Sequence, residues 1–186
     1  DVYDPHNPLN PLDVITTGLV REFGNWAFPR AAVSGNFDMA QFLSALNGSH
    51  VSVPSRVQDP PSVGSPVLDW FGVNYYTRTL VSFSSDGLPQ LRPPPGPAGD
   101  NGQAIFPAGT ERILRETAAR FPGIPIVVTE NGVADAQDRY RPQFIHDTLH
   151  YLDLARFGHD GLPPIDIRGY YHWSLTDNFE WQSGYS

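Results

Sequence analysis

The sequence predicts an α/β fold with parallel strands, and three observations carry that expectation. Leu68–Tyr76, Ile124–Thr129 and Ile165–Leu175 are short runs rich in β-branched and aromatic residues. Roughly 35 to 50 residues separate them, and each separating stretch holds a segment of helical periodicity. A β–α–β–α–β order implies parallel strands joined by crossover connections.

The first helix is expected over Asp13 to Phe28, where Val14, Ile15, Leu19, Phe23 and Trp26 approach helical spacing. Pro54 to Pro66 and Pro89 to Gly102 are Pro/Gly-rich and are expected as stiff loop, with Pro93–Pro97 its most rigid part. A second helix is expected over Thr110 to Phe121. Ile113, Leu114, Thr117, Ala118 and Phe121 share its inner face, and Thr110 is placed to cap it. Gln143 to Phe157 gives a third, with Ile145, Leu149 and Leu152 on one stripe just after Pro142. The unbroken apolar character of the strands, as at Val127–Val128, predicts cover on both faces.

Composition narrows the function. The 186 residues carry 12 Lys+Arg against 20 Asp+Glu, a formal charge of −8, which argues against a nucleic-acid surface. With no cysteine there is no disulfide, thiolate metal site or Cys nucleophile. No apolar run reaches the roughly 18 residues that a membrane span needs. No signal peptide is visible, so location stays open with the cytoplasm favoured. His146 and His150 have the i, i+4 spacing of a zinc pair but lack the HExxH glutamate and a third ligand, so an outward helix face explains them. Asn47-Gly48-Ser49 is a glycosylation sequon with no secretion signal to support it.

In parallel α/β folds ligands gather at the carboxyl ends of the strands. Here those ends read Asn74–Thr77, Thr129–Gly132 and His172–Ser174. Glu130 follows an apolar strand directly and precedes an Asn-Gly turn signal, which exposes its carboxylate. Such a group serves as nucleophile, base, metal ligand or sugar-hydroxyl acceptor, or is simply satisfied by turn amides. Trp173, Glu180 and Trp181 put indoles and an acid just beyond the third strand, the mixture a sugar pocket uses; a closed aromatic cluster is the alternative. Asp177 is read as a helix cap, and the loop around Asp135 and Asp138 as solvated.

Phe71–Thr77 (FGVNYYT), Val128–Gly132 (VTENG) and Gly169–Trp181 (GYYHWSLTDNFEW) together resemble glycoside hydrolase family 1, the retaining β-glucosidases and β-galactosidases. Asn36–Phe37, the AIFPAGTERIL run and DRYRPQF add to the likeness. The resemblance implies that residues 1–186 form an incomplete (β/α)8 TIM-barrel catalytic domain, the C-terminal part with about strands 6–8 and their crossover helices. It makes Glu130 the nucleophile and Tyr76 its hydrogen-bond partner. Asn74 would line the site, Trp173 would lie under the glycone, Glu180 would bind O4 and O6, and Trp181 would bind O3. It implies a small β-glycoside as substrate, with no cofactor and no metal.

The same likeness exposes a gap. The family's acid/base glutamate stands in an Asn-Glu-Pro motif, and none occurs here. Of the five glutamates, Glu22, Glu111 and Glu116 fall on expected helices. The chain is therefore expected to need an N-terminal barrel segment as partner and to lack turnover alone. A non-catalytic, klotho-like sugar- or protein-binding module is the alternative, against which the retained Glu130 speaks. A 6-phospho-β-glycosidase is disfavoured because the acidic Glu180 would repel a phosphate.

Overall fold

The computed structural model describes residues 1–34, 68–181 and 184. Asn36–Phe37, the Asn47 sequon and the Pro54–Pro66 stretch lie outside these residues. The elements run β1 (Val2–Pro5), α1 (Pro11–Arg21), a π-helical turn (Glu22–Trp26), α2 (Ala27–Ser34), β2 (Phe71–Asn74), β3 (Arg78–Phe83), β4 (Pro89–Arg92), α3 (Gly109–Arg120), β5 (Ile126–Asn131), α4 (Arg141–Phe157) and β6 (Ile167–His172). They fall into two compact units, Asp1–Asp69 with Thr77–Gly96, and Trp70–Tyr76 with Pro97–Ser186.

In the first unit β3 pairs with β1 in parallel and with β4 antiparallel. None of these three strands is among the expected ones. β4 occupies the start of the Pro-rich stretch that the sequence suggests is loop. The hairpin signal is Asp86–Gly87, where Gly87 takes a φ of 82° and its N–H donates to Ser84 O at 2.9 Å. Proline is tolerated in β4 because the strand lies at the sheet edge.

The first helix also faces differently from the expectation. Asn10 caps α1 by accepting from Leu12 N–H. The neighbouring Asp13 is buried and accepts from Asn7 N–H, Asn10 Nδ2 and Phe83 N–H. That anchor turns the Asp13–Thr17 face inward and leaves Val14 and Ile15 outward, at 46% and 60% exposure. The π-helical turn then shifts the helical phase, so Trp26 is buried while Phe23 is not.

The second unit has the expected order. β2, β5 and β6 form one parallel sheet in the sequence β2–β5–β6, with α3 and α4 as the crossovers. Val73, Ile126, Val128 and Ile167 of the sheet are buried, as are Leu114, Phe144, Leu152 and Ala155 of the helices. Burial alternates along β5 rather than covering both faces: Val128 is buried and Val127 only partly so. On α4 the buried stripe is Phe144, Thr148, Leu152 and Ala155, one step round from the expected one, and Leu149 is 41% exposed. His146 and His150 are on the outer face. Helix α3 starts at Gly109 with Ala108 at the cap position, so Thr110 is not its cap but a fully buried first-turn residue. Gly109 is required there: a Cβ would stand 1.9 Å from Tyr75 Oη.

Arg115 ties α3 to the far end of α4, donating to Leu154 O and Pro163 O. Asp135 is not solvated, as its loop position suggests, but buried at 3% exposure. It accepts from Tyr140 N–H at 2.6 Å and Arg141 N–H at 3.0 Å, which satisfies orphan donors at the start of α4. Burial raises its pKa, but these amides and Arg139 outweigh that and hold the carboxyl at about 2, against 3.8 ordinarily. A depressed carboxylate stabilises the fold fully above its unfolded pKa and less as the pH falls through its folded one. Stability is therefore expected to decline between about pH 4 and pH 2 on account of Asp135. Asp135→Asn should flatten that decline, as read from urea midpoints at stepped pH.

Candidate active site

The carboxyl ends of β2, β5 and β6 bring the candidate residues together. The ladder between β2 and β5 shifts register after Val73, and the shift sets Asn74 opposite Glu130. Tyr75 N–H donates to Glu130 O at 3.0 Å, fixing the backbone that carries the carboxylate. From the next residue, Tyr76 Oη donates to Glu130 Oε2 at 2.8 Å. Adjacent residues of one strand end thus hold Glu130 by main chain and side chain. Burial first, then the bond to Glu130 and the negative charges of Glu130 and Glu180, raise the Tyr76 pKa, so the phenol keeps its proton. Asn74 Oδ1 accepts from Thr129 Oγ1 at 2.6 Å, which places its amide beside the carboxylate's strand.

Beyond β6 the Trp173–Ser174 peptide is cis. The Trp173 indole is 42% exposed, and its Nε1–H donates to Glu180 Oε1 at 3.2 Å. One edge of the ring is thereby fixed. Trp181 is 84% exposed with a φ of 49°. Glu130 accepts from the Tyr76 phenol, and the negative charges of Glu130 and Glu180 both favour its protonated form. The other three glutamates pair on helical segments, Glu22 with Arg30, Glu111 with Arg115 and Glu116 with Arg120.

Three contributors carry no role in the sequence reading. Asn131 is fully buried and donates through Nδ2 to Tyr75 O at 2.7 Å. Tyr170 and His172 follow it in one contact chain. The Asn131–Gly132 pair does more than signal a turn. β5 runs through Asn131, and a Cβ on Gly132 would lie 2.0 Å from Trp173 O. Glycine here lets the β6 exit pass against the Glu130 strand end. The i, i+2 spacing of Tyr170 and His172, which puts both on one face of β6, is the signal that could have found them.

Among the described residues no group of three or more His, Cys, Asp or Glu side chains is placed to hold a metal ion. The arrangement instead offers one oriented carboxylate, a phenol donor, an open indole face and a second carboxylate. Such a set can hydrogen-bond hydroxyl groups and present a carboxylate oxygen as a base or nucleophile.

Residues 2–186 match the family model described as Glycosyl hydrolase family 1. A β-galactosidase of Sulfolobus acidocaldarius is 32% identical over 96% of this chain and 34% of its own length. The thermostable β-glucosidase B of Thermobispora bispora is 34% identical over 89% of the chain and 36% of its own length. The β-glycosidase from Pyrococcus horikoshii superposes with a TM-score of 0.77 at 27% identity, over all of this chain and 39% of that one. The chain thus spans about a third of the length of the curated relatives it matches. With the family model spanning nearly every residue and the three strand-end motifs meeting at one place, the chain belongs to glycosyl hydrolase family 1.

Proposed function

We propose that this chain is the nucleophile-bearing, C-terminal part of a retaining β-glycosidase, equivalent to about strands 6–8 of its (β/α)8 barrel. The observation that carries the reading is the Tyr76–Glu130 hydrogen bond at the mouth of a parallel sheet. In a retaining mechanism one carboxylate attacks the anomeric carbon while an acid about 5 to 5.5 Å away protonates the leaving oxygen. Glu130 is the attacking group, and the glycosyl-enzyme ester forms on it. Water then displaces the sugar, and no cofactor takes part.

Trp173 is the platform under the glycone, Asn74 lines its wall, and Glu180 and Trp181 bind its hydroxyls. The substrate is a small β-linked glucoside or galactoside. The acid/base carboxylate comes from outside residues 1–186, on a barrel segment supplying the earlier strands. Retention of Glu130 favours this enzyme reading over a sugar-binding module.

The test is covalent. A 2-deoxy-2-fluoro glycoside with an activated leaving group should label Glu130 in the complemented barrel, because fluorine slows the second displacement. Peptide mass spectrometry locates the adduct. A label on any other residue would overturn the assignment.

A further inference from the structure

The register of β5 against β6 breaks between Val128 and Asn131. The regular ladder therefore does not fix the peptide of Glu130 on the β6 side. Side chains stand in its place. Asn131 shares a peptide bond with Glu130, has no exposed surface, and takes Trp173 N–H onto its carbonyl at 2.9 Å. Its amide faces Tyr75 O at 2.7 Å on one side and Tyr170 Oη at 3.1 Å on the other. A flipped amide would set two acceptors against each other at Tyr75 O, so the nitrogen must point there and the oxygen toward Tyr170.

The directions of the remaining bonds follow. Asn131 Oδ1 can only accept, so the single phenolic proton of Tyr170 goes to it. Tyr170 Oη also lies 3.2 Å from His172 Nδ1. With its proton spent, the phenol oxygen must accept, and Nδ1 must carry a hydrogen. Neutral His172 then bears a lone pair on Nε2, which is buried without a hydrogen-bond partner among the described residues. Burial pushes the Tyr170 pKa up to about 12, so its proton stays. Burial and the charge of Arg141 lower that of His172, which keeps the ring neutral.

We propose that Tyr170 and His172 are positioning residues for Glu130, acting through a one-directional relay from His172 Nδ1–H to Tyr170 O–H to Asn131. Asn131 passes the constraint to Tyr75, whose N–H holds Glu130 O. The relay locks the nucleophile's peptide where the strand ladder fails. This inference rests on the reading of Glu130 as nucleophile, although its first test does not.

That first test uses the 186-residue chain with 15N-labelled histidine, its His172 signal among six assigned by the His172→Asn variant. Two-dimensional NMR should show His172 as the Nδ1–H tautomer, and Tyr170→Phe should move it toward Nε2–H. An Nε2–H ring in the unaltered chain overturns the relay. The second test is kinetic, in the barrel complemented to turnover. Tyr170→Phe should lower kcat roughly ten- to hundredfold, the cost of a small misplacement of a reacting group, with KM within about twofold. His172→Phe should behave likewise, and His172→Asn, whose amide can still donate to the phenol, should recover most of the loss. Unchanged kcat in both Tyr170→Phe and His172→Phe overturns the positioning role. Should the unaltered complex neither turn over nor label at Glu130, the glycosidase reading fails, and with it the positioning role, while the tautomer still decides the relay.

Discussion

Glu130→Gln in the complemented barrel is expected to lower kcat by about 10⁵-fold or more, the scale of losing a covalent nucleophile that acts as part of a unit. The amide is nearly isosteric, and Tyr76 can still donate to its oxygen, so the fold and the sugar platform should survive. Loss of turnover with little change in Tm is thus the expected pattern. The contrast is Glu180→Ala, which removes the proposed hydroxyl acceptor and the partner of Trp173 Nε1–H but leaves Glu130. Its loss should be confined to a few kcal/mol in kcat/KM. If Glu130→Gln cost no more than Glu180→Ala, Glu130 would be a binding residue and not the nucleophile. Added azide sharpens the test in a Glu130→Ala variant. A small anion entering the space of the lost carboxylate should restore turnover with an activated aryl glycoside and yield a glycosyl azide of inverted configuration.

The parts of this site that were legible in the sequence are those where local chemistry decides. Ile126–Glu130 is an apolar strand ending in an acid, and no alternative period competes with it. Tyr76 was reached through the family motif, and its bond to Glu130 follows from the register shift at Asn74, which no sequence pattern encodes. The first helix misled for a definable reason. Hydrophobicity assigns the inner face to Val14 and Ile15, yet three N–H donors converge on Asp13, and a buried carboxylate so satisfied outweighs two exposed aliphatic side chains. Asp135 misled in the same way: acids in loops read as solvated until their amide partners are known. β1 is four residues ending in proline, and β3 starts only three residues after β2, so the pairing that defines both strands is made by tertiary contact.

Residues 1–186 alone are expected to show no measurable glycosidase turnover, and a segment supplying the earlier strands is expected to restore it. Among the described residues the parallel sheet of the second unit has three strands, with β2 and β6 at its edges. A barrel of eight closes only when strand number, tilt and stagger agree, so three strands leave the site open to water on the sides where other strands would stand. Two deficits then multiply. General acid catalysis contributes about 10²- to 10⁴-fold, and the glutamates other than Glu130 and Glu180 are paired on helical segments. Positioning a sugar between opposed walls contributes up to about 7–11 kcal/mol, of which one wall recovers only a part. An aryl β-glucoside with an activated leaving group is the stringent substrate, because it needs the acid least. Turnover by the isolated chain, verified as a monomer by light scattering, at a rate matching a full-length family member would refute the split site. Activity that appears only on adding the complementary segment, and vanishes again with Glu130→Gln, would establish that both halves build one pocket.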